Sequence, residues 1–277
     1  MNRIVIVTGS TRGIGYATAA EFLKHGDRVV VLCRHRNHVE KALKELAASG
    51  KREDVRGLVA DIRKPKDVGR IVDQVLEHFG RIDVLVNNAG VAVYRPIEET
   101  TDDDWDQILD TNLKGTFLFL RQVLPVMRKQ RKGIIVNISS GLGVEGMAGF
   151  SAYCASKFGV VGLTKVIAAE VDLPGIKVYA VLPGAVDTTL VAGSGLEIDP
   201  ADLLKPEYLA RRVFTVAEGK AASGSLVEVY SWGLARRSAG ALFPARSAAS
   251  NWYMAGTTKR VKSVPMAMPA MMTSPML

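Results

Sequence analysis

The sequence predicts an α/β fold in which a doubly wound parallel sheet of about seven strands carries helices on both faces. Three observations predict it. Short runs rich in Val, Ile and Leu recur at residues 4–8, 28–32, 55–60, 82–86, 134–138, 176–182 and 226–230. Segments with apolar residues at helical spacing stand between them, so strands and helices alternate along the chain. The runs are mostly apolar rather than alternating in polarity, as strands of a parallel sheet covered on both faces must be.

Each element has its own signal. The first run ends in TGSTRGIG at residues 8–15, and a helix follows over 14–25. Residues 39–48 form the next helical stretch, and the third run ends at Asp61. Pro65 sits where a helix starts, since its ring presets the first helical turn, and the pattern continues over 68–79. The fourth run leads into NNAG at 87–90. The acidic group TTDDDW opens one long helix over 103–130, because Asp favours a first turn. A helix over 153–171 ends at Pro174 and Gly175, and the sixth run leads to PGAVDT at 183–188. The pattern loosens from Val186, where Gly193, Gly195, Pro200 and Pro206 mark a segment expected over the active site. A last helix spans 207–217.

At 277 residues with 48% hydrophobic content, one dinucleotide-binding and catalytic domain over 1–232 is expected. Residues 233–277 form a basic extension holding six of the nine methionines, and both a disordered tail and a partner-docking segment fit it. The net charge of +8 belongs mostly to that extension: six of the 36 basic residues and none of the 28 acidic ones lie beyond Glu228. The body therefore does not read as a nucleic-acid binder. No apolar run approaches the roughly 20 residues that cross a bilayer, and no signal-peptide pattern opens the chain, so a cytoplasmic protein without membrane association is expected. Cys33 and Cys154 fit no metal spacing, and no metal site is expected.

Chemistry concentrates in residues 139–157. Ser140 precedes Tyr153 by thirteen positions, and Lys157 follows four later, one helical turn away on the same face. An ammonium beside a phenol stabilises the phenolate, which suits a proton donor or acceptor working on a carbonyl or alcohol oxygen. A hydroxyl such as Ser140 can hold that same oxygen. Gly9, Gly13 and Gly15, between the first strand and the first helix, allow a tight turn and close approach of a pyrophosphate. Singly, each feature has a plain structural reading: Asn112 as a polar helix residue, Asp61 as a turn former, Thr188 as a cap.

Jointly, TGSTRGIG, NNAG, the Asn112 of TNLKG, Ser140, YCASK and PGAVDT stand in the order and spacing of the short-chain dehydrogenase/reductases, and residues 3–230 closely resemble the single-domain branch of that family. The resemblance implies a Rossmann-like fold and the following roles. Gly9, Gly13 and Gly15, with Thr11, Arg12 and Ile14 in the same turn, bind the cofactor phosphates. Asp61 and Ile62 flank the adenine, and Asn88, Ala89 and Gly90 lie beside its ribose. Asn112 orders a proton relay, Ser140 orients substrate, and Tyr153 is the catalytic acid/base. Lys157 lowers the tyrosine's pKa and binds the nicotinamide ribose, while Pro183, Gly184, Val186 and Thr188 line the nicotinamide. The segment after Thr188 is short for the family, and its usual ending does not follow the seventh run.

NADP(H) is the expected cofactor. NAD enzymes place an acid near the end of the second strand, but VVVLCRHR has none there; Arg34 and Arg12 instead offer cations to a 2′-phosphate. The expected activity is hydride transfer between NADP(H) and a small carbonyl or alcohol substrate, with a 3-oxoacyl or other ketone reductase in view. Leu142, Val144, Met147, Tyr94, Val191 and Leu196 are the expected pocket, with Arg95 nearby. A non-catalytic NADP-binding regulatory protein is the alternative, although all four of Asn112, Ser140, Tyr153 and Lys157 are kept. A nucleotide-sugar epimerase would need a longer chain. Apolar residues on several faces of the 103–130 and 153–171 helices, including Phe117, Phe119, Val160, Val161 and Leu163, predict a homodimer or homotetramer.

Overall fold

Strand β1 (Ile4–Thr8) is buried along its whole length. Ile4 and Ile6 enter the core on one side of it, and Val5 and Val7 the core on the other, because successive side chains of a strand point to opposite faces. That double burial explains the unbroken apolar run. In this computed structural model residues 2–48, 52–196 and 198–230 are described, and the expected extension at 233–277 lies outside them.

Six further strands pair with β1 in one parallel sheet: β2 (Arg28–Cys33), β3 (Val55–Val59), β4 (Val84–Asn87), β5 (Gly133–Ile138), β6 (Ile176–Pro183) and β7 (Leu226–Val229). Their order is β3-β2-β1-β4-β5-β6-β7. All seven expected strands are present, at bounds shifted by a residue or two. One face is covered by α1 (Gly13–Lys24), α2 (Arg36–Ala48) and α8 (Pro206–Val216), whose Phe22, Leu46, Leu209 and Val213 are fully or almost fully buried. On the other face lie α3 (Pro65–Phe79), α5 (Gly115–Gln130) and α6 (Ser151–Glu170), with Ile71, Val75, Phe119 and Val123 at the centre of that core.

The helix expected over 103–130 is not one regular helix. It comprises α4 (Asp102–Leu109), a π turn at Asp110–Lys114, and α5. Its start is as read: Thr101 caps it, accepting the Asp104 N–H at 3.1 Å while the Asp104 carboxylate accepts the Thr101 N–H at 3.2 Å. The π turn puts one extra residue into the ladder, and Asn112 inside it is 1% exposed. The apolar-run expectation also needs correction. By length and mean hydropathy (1.2), α6 is long and apolar enough to cross a membrane. Here it packs on the sheet through Val160, Val161 and Thr164 and keeps Lys157 on its inner side. The short helix α7 (Thr189–Ala192) follows β6 and was not expected.

Phe119→Ala removes a fully buried ring from the core beneath α5. It is expected to cost about 3–5 kcal/mol, read as a lower urea midpoint with an unchanged slope.

Candidate active site

Strand order reverses at β1, whose neighbours β2 and β4 lead to loops running in opposite directions and leaving a crevice at the carboxyl ends of the strands. One wall of the crevice is the glycine turn. Gly9 and Gly13 have φ of 63° and 54°, a left-handed conformation that glycine adopts without strain. A Cβ on Gly15 would lie 2.4 Å from Asn88 Nδ2, so only glycine lets the turn close on the NNAG segment. No side chain caps α1, whose first turn holds no acid. The Thr8 hydroxyl accepts the Asn88 and Ala89 N–H groups, both at 2.9 Å, and Asn88 Nδ2 donates to the Thr8 carbonyl at 2.9 Å.

The opposite wall is built by β5 and α6. Ser139 follows the strand and donates to the Lys157 carbonyl at 3.0 Å. Ser140 caps the short turn Gly141–Gly143, accepting the Leu142 N–H at 3.1 Å. Lys157 Nζ donates to the Ile138 carbonyl at 2.9 Å and lies 5.6 Å from the Tyr153 ring centroid, as the one-turn spacing requires. Asn112 closes the site from behind. Its amide exchanges hydrogen bonds with Val91 (2.8 and 2.9 Å) and donates to Ser156 Oγ at 3.0 Å.

These walls enclose a cavity of about 390 Å³. Every expected cofactor residue lines it: Gly9, Thr11, Arg12, Gly13, Ile14, Gly15, Arg34, Asp61, Ile62, Asn88, Ala89, Gly90, Pro183, Gly184, Val186 and Thr188. Ser140, Tyr153 and Lys157 line it as well, whereas Asn112 lies behind it. Of the six apolar candidates only Val191 lines this cavity. Tyr94 instead packs its ring 5.3 Å from Phe150, which stands 5.8 Å from Tyr153. Arg95 pairs with Asp104 at 2.8 Å, which ties it to the start of α4.

Several residues were missed in the sequence. His35, His38 and Arg63 line the cavity. His35 directly follows Arg34 and His38 stands four positions after it, so the residues around the missing acid carried the signal. Arg63 grips Asp61 through Nε (2.9 Å) and Nη2 (2.7 Å), and this pairing holds the Asp61 carboxyl below the usual carboxylate range. Tyr230, read only as a strand end, packs against Gly141 and Gly184, where any Cβ would approach its side chain to 2.8 Å.

The electrostatics differ from the expectation that Lys157 lowers the pKa of Tyr153. Burial pushes the Tyr153 phenol up to about 12, and the hydrogen bond with Ser140 only partly opposes it. Burial also brings Lys157 down to about 8. The cause is the same for both: desolvation disfavours the charged form of each group.

Comparison with known proteins agrees with this architecture. A family model described as short chain dehydrogenase matches residues 3–198. The uncharacterized oxidoreductase YxjF of Bacillus subtilis is 41% identical over 189 residues, 68% of this chain and 73% of that protein. The 3-oxoacyl-(acyl-carrier-protein) reductase FabG of Staphylococcus epidermidis is 38% identical over 185 residues, 66% of this chain and 75% of its own. Among solved structures, a variant of actinorhodin polyketide ketoreductase with NADPH superposes with TM-score 0.77 at 33% identity, covering 83% of this chain and 96% of its own. Levodione reductase superposes with TM-score 0.79 at 29% identity, covering 84% and 98%. With a parallel sheet in this order, a glycine turn at its crevice and a family match over most of its length, the chain belongs to the short chain dehydrogenase family.

Proposed function

We propose that this chain transfers a hydride between NADP(H) and a ketone or secondary alcohol, with Tyr153 as general acid/base. The observation that carries this reading is a single cavity holding Tyr153, Ser140 and Lys157 on one wall and the glycine turn with Arg12 and Arg34 on the other. The residues present fit an adenine dinucleotide. The uncapped N-terminus of α1 suits a pyrophosphate, and the side-chain-free cradle of Gly9, Gly13 and Gly15 admits its close approach. The two arginines suit a 2′-phosphate, and the NADPH-bound ketoreductase to which the chain is similar supports that choice. A 3-oxoacyl or related ketone is the substrate class favoured by the FabG relatives.

When bound, the nicotinamide supplies hydride to the carbonyl carbon, or takes it from the carbinol carbon in reverse. The chain's own residues handle the oxygen. Tyr153 gives its phenolic proton to the developing alkoxide while the Ser140 hydroxyl orients the same oxygen. The Lys157 ammonium, one turn away, compensates the charge left on the phenolate. Asn112 is a positioning residue: it fixes the main chain at Val91 and the Ser156 hydroxyl beneath the Tyr153 turn.

The same reading includes a homodimer or homotetramer. Phe117 on α5 and Val166 on α6 are 41% and 51% exposed, and with Leu124, Leu163 and Ile167 they line a groove of about 520 Å³ between the two helices. An apolar stripe on a pair of neighbouring helices is suited to a second copy of itself. A cytoplasmic location and a domain ending near residue 232 belong to this proposal too.

Tyr153→Phe keeps the ring and deletes the proton donor, so carbonyl reduction with NADPH is expected to fall by about 10²–10⁴-fold while NADPH still binds; near-normal turnover would refute the assignment. In the nucleotide-free protein, NMR of labelled lysines is expected to show one amine titrating near 8, absent from Lys157→Met. Because this pKa lies below the ordinary 10.5, the folded chain sheds the proton first, and the group's contribution to stability rises with pH across that interval. Val166→Glu places a charge in the groove and is expected to shift the light-scattering mass toward the monomer; an unchanged mass would remove this face from the assembly.

A further inference from the structure

We infer that Tyr230 is a positioning residue for the hydride-transfer reaction, which holds the turn that carries Ser140 at a fixed spacing from the Gly184 wall of the cavity. This rests on the proposed NADP(H) function and deepens it. Tyr230 directly follows β7, whose last residue Val229 pairs with Pro183 and accepts the Gly184 N–H at 2.9 Å. Val229 faces the core that holds Phe22 and Val213, and the next side chain points to the other face, toward the turn Gly141–Gly143. Two glycines receive its ring. A Cβ on Gly184 would lie 2.8 Å from Tyr230 Cδ1, and one on Gly141 would lie 2.8 Å from Oη and 3.2 Å from Cε1. The base of the ring thus bears on a cavity-lining strand end, and its phenol end on the turn that Ser140 caps.

On its far side the turn has no room to retreat. A Cβ on Gly143 would lie 2.9 Å from the Lys157 carbonyl oxygen, which also accepts the Ser139 hydroxyl at 3.0 Å. Residues 141–143 are therefore clamped between the Tyr230 ring and the backbone of α6, with a glycine at each contact. Neither contact leaves space for a side chain.

Ser140 stands at the head of this clamped turn. Its hydroxyl accepts the Leu142 N–H at 3.1 Å and is hydrogen-bonded with Tyr153. A shift of residues 141–143 moves the Leu142 N–H, and with it the hydroxyl that orients the substrate oxygen. A misplacement of about 1 Å costs on the order of 10²-fold in rate, so a ring packed behind the cavity lining governs turnover without touching substrate. The contact is one of packing, so the ring is required and its hydroxyl is not.

The test compares the full wild-type chain with Tyr230→Ala and Tyr230→Phe, with circular dichroism as the check on folding. In the nucleotide-free protein the Lys157 amine, titrating near 8, reports how tightly residues 138–143 cover it. Tyr230→Ala is expected to admit water and move that titration up toward 10.5, whereas Tyr230→Phe leaves it in place. With NADPH and ethyl acetoacetate, Tyr230→Ala is expected to lower kcat by about 10–10²-fold, and Tyr230→Phe to stay within about threefold of wild type. The NADPH dissociation constant should change little in either variant, because Gly184 stays bonded to Val229. In a Ser140→Ala background, where the hydroxyl to be aimed is gone, Tyr230→Ala is expected to cost less than about threefold more. An unmoved lysine titration in Tyr230→Ala overturns the inference. Equal kcat losses with and without Ser140 overturn it as well, because they mean that the ring only stabilises the sheet edge. A wild type that reduces no ketone with NADPH strikes the proposed function instead, and the titration still decides on Tyr230. If Tyr230→Ala folds poorly, Gly141→Ala decides by the same readouts. Its Cβ meets Tyr230 Oη, so both readouts should shift, and adding Tyr230→Phe, which removes that oxygen, should restore most of the change; no recovery overturns the inference.

Discussion

The Thr8 hydroxyl, buried at the end of β1, is the point on which the site's geometry depends. It accepts two N–H groups, from Asn88 and Ala89, that would otherwise meet no partner as β4 ends beside β1. Asn88 returns the contact by donating to the Thr8 and Gly9 carbonyls. The glycine turn and the NNAG segment are therefore one hydrogen-bonded unit at the place where the strand order reverses. A second buried tie lies one strand further on, where Asn87 Nδ2 donates to Asn137 Oδ1 and Asn137 donates to Thr164 on α6. Through these two links the glycine turn and the Tyr153 helix are held to a common frame, with the cavity between them.

The cavity is electrostatically two-ended. At one end Arg12 and Arg34 stand near water, where charges cost little to maintain and anions are drawn in. At the other, Lys157 and Tyr153 are desolvated, and both shift toward their neutral forms. A cation at the mouth and a protonated phenol in the depth suit different tasks, gripping an anion and passing a proton. The separation follows from where each segment leaves the sheet. The end of β2 opens to the surface, while the residues after β5 are covered by the first turns of α6.

The segment beyond β6 is short but anchored. Tyr94 N–H donates to the Ser194 carbonyl at 3.2 Å, and Val186 pairs with Leu204, so both ends of the α7 region are tied to the body. Tyr94, Phe150 and Tyr153 then form a chain of neighbouring aromatic rings, with Phe150 buried between the other two. Tyr230 supports the floor from the other side, filling the space that Gly141 and Gly184 leave open.

The strands were legible because a parallel strand buried on both faces has no choice but to be apolar, and the seven runs stand out as such. The glycine turn, the cations replacing an acid after β2, and the one-turn spacing of Tyr153 and Lys157 were legible for a similar reason: each is a local constraint written in neighbouring residues. The π turn at Asn112 was not, since its extra residue leaves no mark in a helical pattern and is stabilised by contacts with Val91 and Ser156 far along the chain. Nor was the direction of the Tyr153 shift. The sequence shows that a lysine is near, but desolvation depends on how much of the fold closes over both groups, and here burial is the largest cause of the upward shift. Sequence by itself determined the order of the strands and the cofactor-side residues that reach the crevice. Tertiary structure decided which charges are paired, as with Arg95 and Asp104, and which are buried, because pairing and burial arise between segments that only folding brings together.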